Sequence, residues 1–176
     1  MARNNWKKGK LSDLSETIMG FAFKSEDFVS TGIPLIRMGN LYQNSLDLKR
    51  NSAYLPFEYQ KTYERFLVKA NDLVMSMTGT MGKRDYGFVV RLPKSTPNCL
   101  LNQRVMKIVP RKNTDAGFLL HILKDEKFLN QLYSLPGGTK QANLSSNQVL
   151  DISILIPPIQ EQKKIAEILS TWDKAI

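Results

Sequence analysis

Short apolar segments separated by turn residues occupy the first two thirds of this sequence. Runs of branched and aromatic residues bounded by Gly, Asn and Pro are typical of strands in a β-rich domain. We expect Gly39-Asn40 and residues 79–82 to form tight turns, and residues 56–66 to form a short helix. The pattern predicts four strands, over residues 33–38, 72–78, 88–92 and 99–109.

Helical spacing of apolar residues replaces the strand pattern after Thr114. Thr114 is a plausible N-cap because its hydroxyl can accept a hydrogen bond from the first turn. The polar segment 139–145 is expected to be a loop. Helices are predicted over residues 115–123 and 126–135, one helical turn over 146–150, and a strand over 152–156. The fold class is therefore α+β: an irregular β-rich domain with several short helices.

The C-terminal segment predicts an amphipathic helix. Pro158 suits a first helical turn, because its missing N–H has no partner there and its φ is already helical. Apolar residues then recur at steps of three and four, so they lie on one face and need a partner. We expect Ile165, Leu169, Trp172 and Ile176 to contact another helix. The predicted domains are residues 1–156 and the beginning of a connecting helix over residues 157–176.

The charge balance favours a polyanionic partner. The chain has 176 residues, with 25 Lys and Arg against 16 Asp and Glu, and its isoelectric point is about 9.7. A value above ~9 is the electrostatic signature of many nucleic-acid-binding domains. Some of the basic residues cluster beside turn residues, in segments 7–10, 49–51, 82–84 and 110–113. The alternative is a basic protein with no polyanionic partner, because net charge alone does not define function.

Simple features of the sequence indicate the cellular location. No apolar run approaches the ~18 residues of a membrane span, and no apolar stretch follows the basic N-terminus as a signal peptide requires. The single cysteine, Cys99, cannot form an intramolecular disulfide, which is consistent with a reducing compartment. We expect a cytoplasmic protein with no membrane partner.

Few residues in the sequence are suited to catalysis. The single histidine, His121, lies in an apolar helical segment, and one His with one Cys cannot build a zinc site of the usual spacing. Residues 79–84 lack the spacing of a phosphate-binding Walker loop. Glu161-Gln162-Lys163 has the carboxylate-x-lysine form of many nucleases, but a solvated helix face explains it better. We expect no catalytic residue, no cofactor and no metal.

Polar segments next to the predicted strands contain the side chains suited to DNA. Arg, Lys, Asn and Gln match the donors and acceptors of base edges, and glycine-rich basic loops can hold phosphate. Each segment could instead be a plain turn or surface charge. A KH-type loop is less consistent, because a strand precedes the Gly-x-x-Gly segment. The expected groove contacts are Arg37, Asn40, Tyr42, Gln103, Arg104, Lys140, Gln141 and Asn143; the expected phosphate contacts are Thr80, Lys83 and Arg84.

Together these motifs resemble a known family. In order they are Trp6, KLSDL at residues 10–14, IPLIRMGNL at 33–41, DLVMS at 72–76 with GTMGK at 79–83, LNQRV at 101–105, GTKQANL at 138–144, and ILIPPIQEQ at 154–162 with IAEIL at 165–169. The chain resembles a target-recognition domain and the following conserved helix of the specificity (S) subunit of type I restriction-modification systems. The ILIPPIQEQ motif is the most specific part of this resemblance.

The resemblance implies a DNA-reading scaffold without chemistry of its own. Its implied partners are double-stranded DNA, methyltransferase (M) subunits and, through the complex, the restriction (R) subunit; its implied role is to direct adenine methylation and restriction to a target half-site. Segments 43–55 and 84–98 are the expected specificity loops. The family's usual subunit has two recognition domains held apart by two long antiparallel helices, whereas this sequence has one recognition domain and only the beginning of a spacer helix. We therefore expect either a half-subunit that forms a homodimer through its C-terminal helix, or a truncated form.

Two other functions remain open at this point. The first is a protein-interaction fragment that binds or competes for the methyltransferase without productive DNA reading. The second is a small nuclease, which would require the carboxylates to cluster around a metal.

Overall fold

The computed structural model describes residues 5–138 and 140–175, and these form fourteen strands, five α-helices and four short 3-10 helices. The strands are β1 Lys7–Lys10, β2 Ser15–Met19, β3 Ile33–Ile36, β4 Leu41–Tyr42, β5 Ser45–Leu46, β6 Tyr54–Leu55, β7 Leu67–Val68, β8 Leu73–Ser76, β9 Thr78–Thr80, β10 Val89–Arg91, β11 Cys99–Leu101, β12 Val105–Pro110, β13 Gln141–Asn143 and β14 Ser153–Ile156. The α-helices are α1 Tyr59–Thr62, α2 Ala116–Lys124, α3 Glu126–Tyr133, α4 Ser146–Leu150 and α5 Ile159–Ala175. The 3-10 helices are Leu11–Asp13, Ser25–Asp27, Met38–Asn40 and Glu64–Phe66. The predicted α+β class is confirmed.

The chain folds as two compact units, each assembled from separate stretches of sequence. The helical unit contains Met1–Glu16, Pro110–Leu135 and Asn147–Ile176. The sheet unit contains Thr17–Val109 and Pro136–Ser146. The functional division into a recognition domain over residues 1–156 and a spacer helix over residues 157–176 stays a prediction.

Two four-stranded sheets, ordered β10-β8-β12-β2 and β6-β3-β11-β7, form the framework of the sheet unit. Strand β11 runs parallel to β3 and antiparallel to β7. Alternation along β11 divides its side chains between two apolar cores, because successive residues in a strand point to opposite faces. Cys99 and Leu101 pack with Ile36 and Val74, whereas Leu100 packs with Leu35 and Leu55. Buried strands thus fix the loops around them.

The single strand predicted over residues 99–109 is wrong, because the structure divides it into β11 and β12. The Asn102 N–H donates to the Ile36 carbonyl, and the Val105 N–H donates back to the Asn102 carbonyl. A side chain at Gly20 would be placed 2.1 Å from the Asn102 carbonyl oxygen, so glycine permits a close backbone approach there. Residues 102–104 therefore form an exposed turn between two strands.

Three smaller predictions are also corrected. Asp115, and not Thr114, caps α2: its Oδ1 accepts from the Phe118 N–H at 2.9 Å. The predicted turn over residues 79–82 overlaps the end of β9, which continues through Thr80. The predicted loop over 139–145 contains β13, because β9 offers it a pairing partner that local sequence does not reveal.

In the helical unit, α5 is docked by its first two turns. The buried Gln162 side chain accepts a hydrogen bond from the Asp115 N–H at 3.0 Å and donates to the Pro157 carbonyl at 3.0 Å. One turn later Ala166 packs against Gly117, where an added Cβ would lie 3.0 Å from the Ala166 Cβ. Strands β1 and β14 pair antiparallel in the same unit. The predicted C-terminal helix is confirmed over its described length.

Candidate nucleic-acid interface

Positive charge is concentrated in the sheet unit. Its sequence ranges contain fourteen Lys and Arg against seven Asp and Glu, so they carry +7 of the chain's net +9. The Lys107 and Asp72 side chains form a half-buried ion pair at 2.8 Å, which supports β12 against β8. A net charge of this size on one small unit attracts polyanions over about the Debye length, ~8–10 Å at physiological salt.

A depression of about 600 Å³ in the sheet unit gathers several of the predicted contact residues. Arg37 and Asn40 reach it from one part of the sequence, and Gln103 and Arg104 from the turn between β11 and β12. Half of the other lining residues are polar, and the lining includes no acidic residue. The full lining is Phe23, Ser25, Phe28, Arg37, Met38, Gly39, Asn40, Arg50, Asn51, Asn102, Gln103 and Arg104.

Asn40 holds this region together from inside. Its side chain is only 2% exposed. Its Nδ2 donates to the carbonyls of Asp47 at 2.9 Å and Arg50 at 2.7 Å, and its Oδ1 accepts from the Arg37 N–H at 2.8 Å. Both amide protons and the carbonyl oxygen are therefore used within the protein. This burial favours a positioning role for Asn40, and its predicted contact with DNA stays a prediction.

Arg37 and Tyr42 lie on either side of the 3-10 helix Met38–Asn40. The Arg37 guanidinium donates to the Asn51 carbonyl, which orients it along the depression. Tyr42 is on β4, in a hairpin whose two central residues, Gln43 and Asn44, have φ of 49° and 59°. Such paired positive φ values are typical of tight hairpin turns, and Asn tolerates them well. The Asn44 Oδ1 accepts from the Val89 N–H at 2.8 Å, tying the hairpin tip to β10.

A second group of predicted contacts lies on the two-stranded sheet of β9 and β13. Gln141 pairs with Thr80, and Asn143 pairs with Thr78. The Lys140 carbonyl accepts from the Met81 N–H at 3.2 Å, so Lys140 lies beside the loop that follows β9. The side chains of Lys140, Gln141 and Asn143 are exposed, while Ala142 between them is buried. This arrangement brings Lys140 and Gln141 next to the loop that contains Lys83 and Arg84.

The carboxylate of Asp85 closes the loop that follows β9. Asp85 accepts hydrogen bonds from the Thr80 N–H at 2.7 Å and the Thr80 hydroxyl at 2.8 Å. The loop already uses both Thr80 donors, and the predicted phosphate contact at Thr80 stays a prediction. Gly82 has φ of +76°, a conformation that glycine adopts without strain, at the point where the loop turns. Lys83 and Arg84 follow it directly, with exposed side chains.

The pKa of Asp85 reflects this closure. Partial burial would raise it, but hydrogen bonds from Thr80 and the charge of Lys83 outweigh burial and lower the pKa below the usual value. A depressed carboxyl pKa means that the contribution to loop order is present at neutral pH. It is lost only as the pH falls through the folded-state pKa, below the ordinary value of about 3.9.

The apolar residues of α5 divide between packed and exposed positions. Ile165 is half-buried, Leu169 is 39% exposed and Trp172 is 66% exposed. Ile165 and Leu169 line a groove of about 550 Å³ in the helical unit, together with Trp6 and Phe118. The fourth residue predicted for a partner helix, Ile176, lies outside the described residues. The contact itself stays a prediction.

The described residues offer little to catalysis. They contain no group of three or more His, Cys, Asp or Glu side chains that could hold a metal ion. Burial raises the pKa of the Cys99 thiol to about 12, so it is not a thiolate nucleophile. The His121 ring contacts the Ser170 hydroxyl at 3.4 Å. Among the helices described, none has both the length and the apolar character that a membrane span needs.

Sequence reasoning missed three polar residues of the depression. The sequence pattern predicts Asn102 within a strand, whereas the structure has it directly after β11, at the start of the turn over residues 102–104. Arg50 and Asn51 were noted only as part of a basic loop cluster. Their position in the depression depends on the hydrogen bonds of Asn40, which join residues seven and ten positions apart. The basic cluster at residues 49–51 was the available signal.

Comparison with known proteins identifies the family. The family model for the type I restriction modification DNA specificity domain matches residues 3–176. The type I restriction enzyme MjaVIII specificity subunit of Methanocaldococcus jannaschii is 27% identical over 175 residues, 98% of this chain and 40% of the relative. The EcoBI specificity subunit of Escherichia coli is 30% identical over 171 residues, 96% of this chain and 32% of the relative.

A solved structure supports the same fold. The type I restriction-modification system S subunit from M. genitalium superposes with a TM-score of 0.67 and 19% identity, covering 99% of this chain and 41% of that subunit. The chain thus spans about two fifths of the length of that subunit and of the first of these relatives. Because the family model matches almost the whole sequence, the chain belongs to the type I restriction modification DNA specificity domain family.

Proposed function

We propose that this chain is the DNA-recognition part of a type I specificity subunit, binding a half-site in double-stranded DNA. It directs adenine methylation by M subunits, and restriction by the R subunit, to sites that contain this half-site. The observation that carries the proposal is the depression that gathers Arg37, Gln103 and Arg104 within a unit of net charge +7. Charge supplies affinity for any duplex, and side-chain geometry supplies sequence preference.

Residue roles follow from position. Arg37, Gln103 and Arg104 contact base edges from the depression, and Lys140, Gln141 and Asn143 contact the duplex near the groove. Tyr42 is a near-groove residue whose ring positions its neighbours. Lys83 and Arg84 contact phosphate from a loop whose shape Asp85 maintains. Asn40 acts indirectly by holding the residues that surround it. The chain has no catalytic role in this proposal and acts in the cytoplasm, where its DNA target is found.

The protein-interaction fragment is not favoured as an alternative. An interaction fragment would have no need for a polar, acid-free depression beside basic loops. The relatives at 27% and 30% identity are both named as type I restriction enzyme specificity subunits. DNA reading and subunit binding therefore belong to one function, with the sheet unit reading DNA and α5 contacting a partner.

The partner contact is proposed for the exposed stripe of α5. Gln162 and Ala166 are used in docking α5 within its own unit. Leu169 and Trp172 remain exposed to an extent that costs free energy in water, since a large apolar side chain favours burial by about 1.5–3 kcal/mol. We propose that they pack against a second helix, either in M subunits or in another copy of this chain.

The proposed function is tested by mapping adenine methylation. Expression of the intact gene with its M subunits should methylate adenines within one defined sequence motif, and deletion of the gene should abolish that motif. Single-molecule sequencing of cellular DNA measures both states. An unchanged methylation map, together with no salt-dependent binding of duplex DNA by the complex, would refute the proposal.

Asn40→Ala separates a positioning role from a reading role. We expect the free energy of unfolding to fall by about 1–3 kcal/mol, because buried hydrogen-bonding groups lose their partner. Denaturant melts monitored by circular dichroism measure this loss. Asn147→Ala is the matched control, since Asn147 is an exposed residue of the helical unit. If both variants melt alike while only Asn40→Ala alters sequence preference, Asn40 reads a base directly.

Lys83→Ala tests the phosphate contact. Affinity of the complex for duplex DNA should fall by a similar factor for target and non-target sequences. The slope of log affinity against log salt should become shallower by about 1, because one phosphate contact is lost. Lys127→Ala in the helical unit is the control. An unchanged salt slope in Lys83→Ala would remove Lys83 from the interface.

Trp172→Ala tests the partner face of α5. Loss of an exposed aromatic anchor should weaken association by about 2 kcal/mol, the scale of an interface hot spot. Sedimentation of the chain alone and with M subunits measures self-association and complex formation. Thr171→Ala changes the neighbouring exposed position and should leave both intact. Equal association of the two variants in both measurements would contradict the proposed contact.

A further inference from the structure

Arg50 is held against an aromatic ring at the edge of the depression. Its guanidinium carbon lies 4.9 Å from the centroid of the Tyr42 ring. Tyr42 is itself half exposed and is braced by Phe88, whose ring meets it edge-on with centroids 5.8 Å apart. A stacked guanidinium uses its face and keeps the donors on its edge available. The contact therefore holds the guanidinium over the Tyr42 ring without using its hydrogen-bond donors.

The backbone of Arg50 is fixed as well. Its carbonyl accepts the 2.7 Å hydrogen bond from Asn40, and its N–H donates to the Asp47 carboxylate at 3.3 Å. The next residue, Asn51, has φ of 51° and receives the Arg37 guanidinium at its carbonyl. These contacts anchor the backbone of Arg50 and Asn51 to the segment that contains Arg37 and Asn40. Little conformational entropy remains to be lost when the Arg50 fork binds a ligand.

Apart from the Tyr42 ring, the Arg50 fork has no hydrogen-bond or ion-pair partner among the described residues. No ion pair or hydrogen bond joins its guanidinium to another described side chain, and no acidic residue lines the depression. Around it lie side chains that suit bases, including Asn51, Asn102 and Gln103. A charged donor pair that is exposed in such a setting is available to an external acceptor pair.

We propose that Arg50 reads a guanine of the target half-site, donating to its O6 and N7, with Tyr42 as the positioning residue. This inference rests on the proposed function. Guanine is the base whose major-groove edge presents two adjacent acceptors to a guanidinium fork. A phosphate can also accept both donors. The amide-rich depression favours the base edge, because amide side chains match base donors and acceptors.

The test uses the complex of the intact chain with its M subunits, once its methylated motif is known. Duplexes carry 7-deazaguanine at one guanine of the half-site at a time, which removes N7 while preserving base pairing. One position should lower wild-type affinity about tenfold, within the range of a bidentate contact. In Arg50→Ala and Arg50→Lys, affinity for the unmodified duplex should fall and the penalty at that position should disappear. Arg50→Lys should keep the salt dependence of the wild type.

Tyr42 variants distinguish positioning from contact. Tyr42→Phe keeps the ring and should retain the full 7-deazaguanine penalty at that position. Tyr42→Ala releases the guanidinium and should reduce the penalty several-fold without shifting it to another position. Arg65→Ala, at an exposed position of the 3-10 helix Glu64–Phe66, is the matched arginine control and should retain the wild-type penalty. Rescue by phenylalanine would not be expected if the Tyr42 hydroxyl itself contacted DNA.

Three outcomes would overturn the assignment. A half-site with no guanine on either strand excludes it, as does a set of penalties that is identical in wild type, Arg50→Ala and Arg50→Lys. Uniform loss of affinity for all duplexes in Arg50→Ala, with a shallower salt slope and unchanged penalties, would make Arg50 a phosphate contact. In these cases the wild-type motif persists and the proposed function stands. A wild-type complex with no sequence preference would instead refute the proposed function and this inference together.

Discussion

The side-chain amide of Asn40 is the interaction on which the recognition surface depends. It joins the N–H of Arg37 to the carbonyls of Asp47 and Arg50. Few residues between 37 and 51 are buried, so this segment has little hydrophobic burial of its own to hold its shape. Hydrogen bonds inside a protein are stronger electrostatically than hydrogen bonds in water, and a fully satisfied buried amide specifies one backbone arrangement. Arg37, Tyr42 and Arg50 are presented by that arrangement.

The proposed reading of DNA is favoured when exposed polar loops are held in one conformation before binding, because less conformational entropy is then lost. The sheet unit does this in two ways. Asn40 fixes the backbone around the depression through its hydrogen bonds to the Asp47 and Arg50 carbonyls. Asp85 fixes the loop that contains Lys83 and Arg84 through its hydrogen bonds from Thr80. In each case one polar side chain replaces contacts that apolar packing cannot provide in an exposed loop. The adjacent strands supply the rigidity, since β3, β8 and β11 lie in apolar cores.

Periodic elements were predictable from the sequence, whereas elements defined by distant partners were not. Helix α5 and strands β3 and β8 follow from local spacing of apolar residues. The division of residues 99–109 into β11 and β12 does not follow from local spacing, because the alternation of apolar and polar residues continues across the turn. The turn depends on the hydrogen bond from Asn102 to Ile36 and on the close backbone approach at Gly20. Strand β13 has three residues and exists through pairing with β9. For the site, residue type alone selected Arg37, Gln103 and Arg104, which the structure places in one depression, but it does not separate them from the buried Asn40, because an amide suits both a base and a buried turn.

Arg50 illustrates the limit more sharply. Its residue type and loop position were visible, yet its orientation depends on Tyr42, eight positions earlier and across a hairpin. The side chains that face the depression from Arg50, Gln103 and Arg104 add little to the apolar cores, so their replacement costs little folding free energy. The residues that hold them, Asn40 and the strands beneath, cannot change so freely. If the proposed function holds, a surface built this way acquires a new DNA sequence preference through its exposed side chains while one framework is retained.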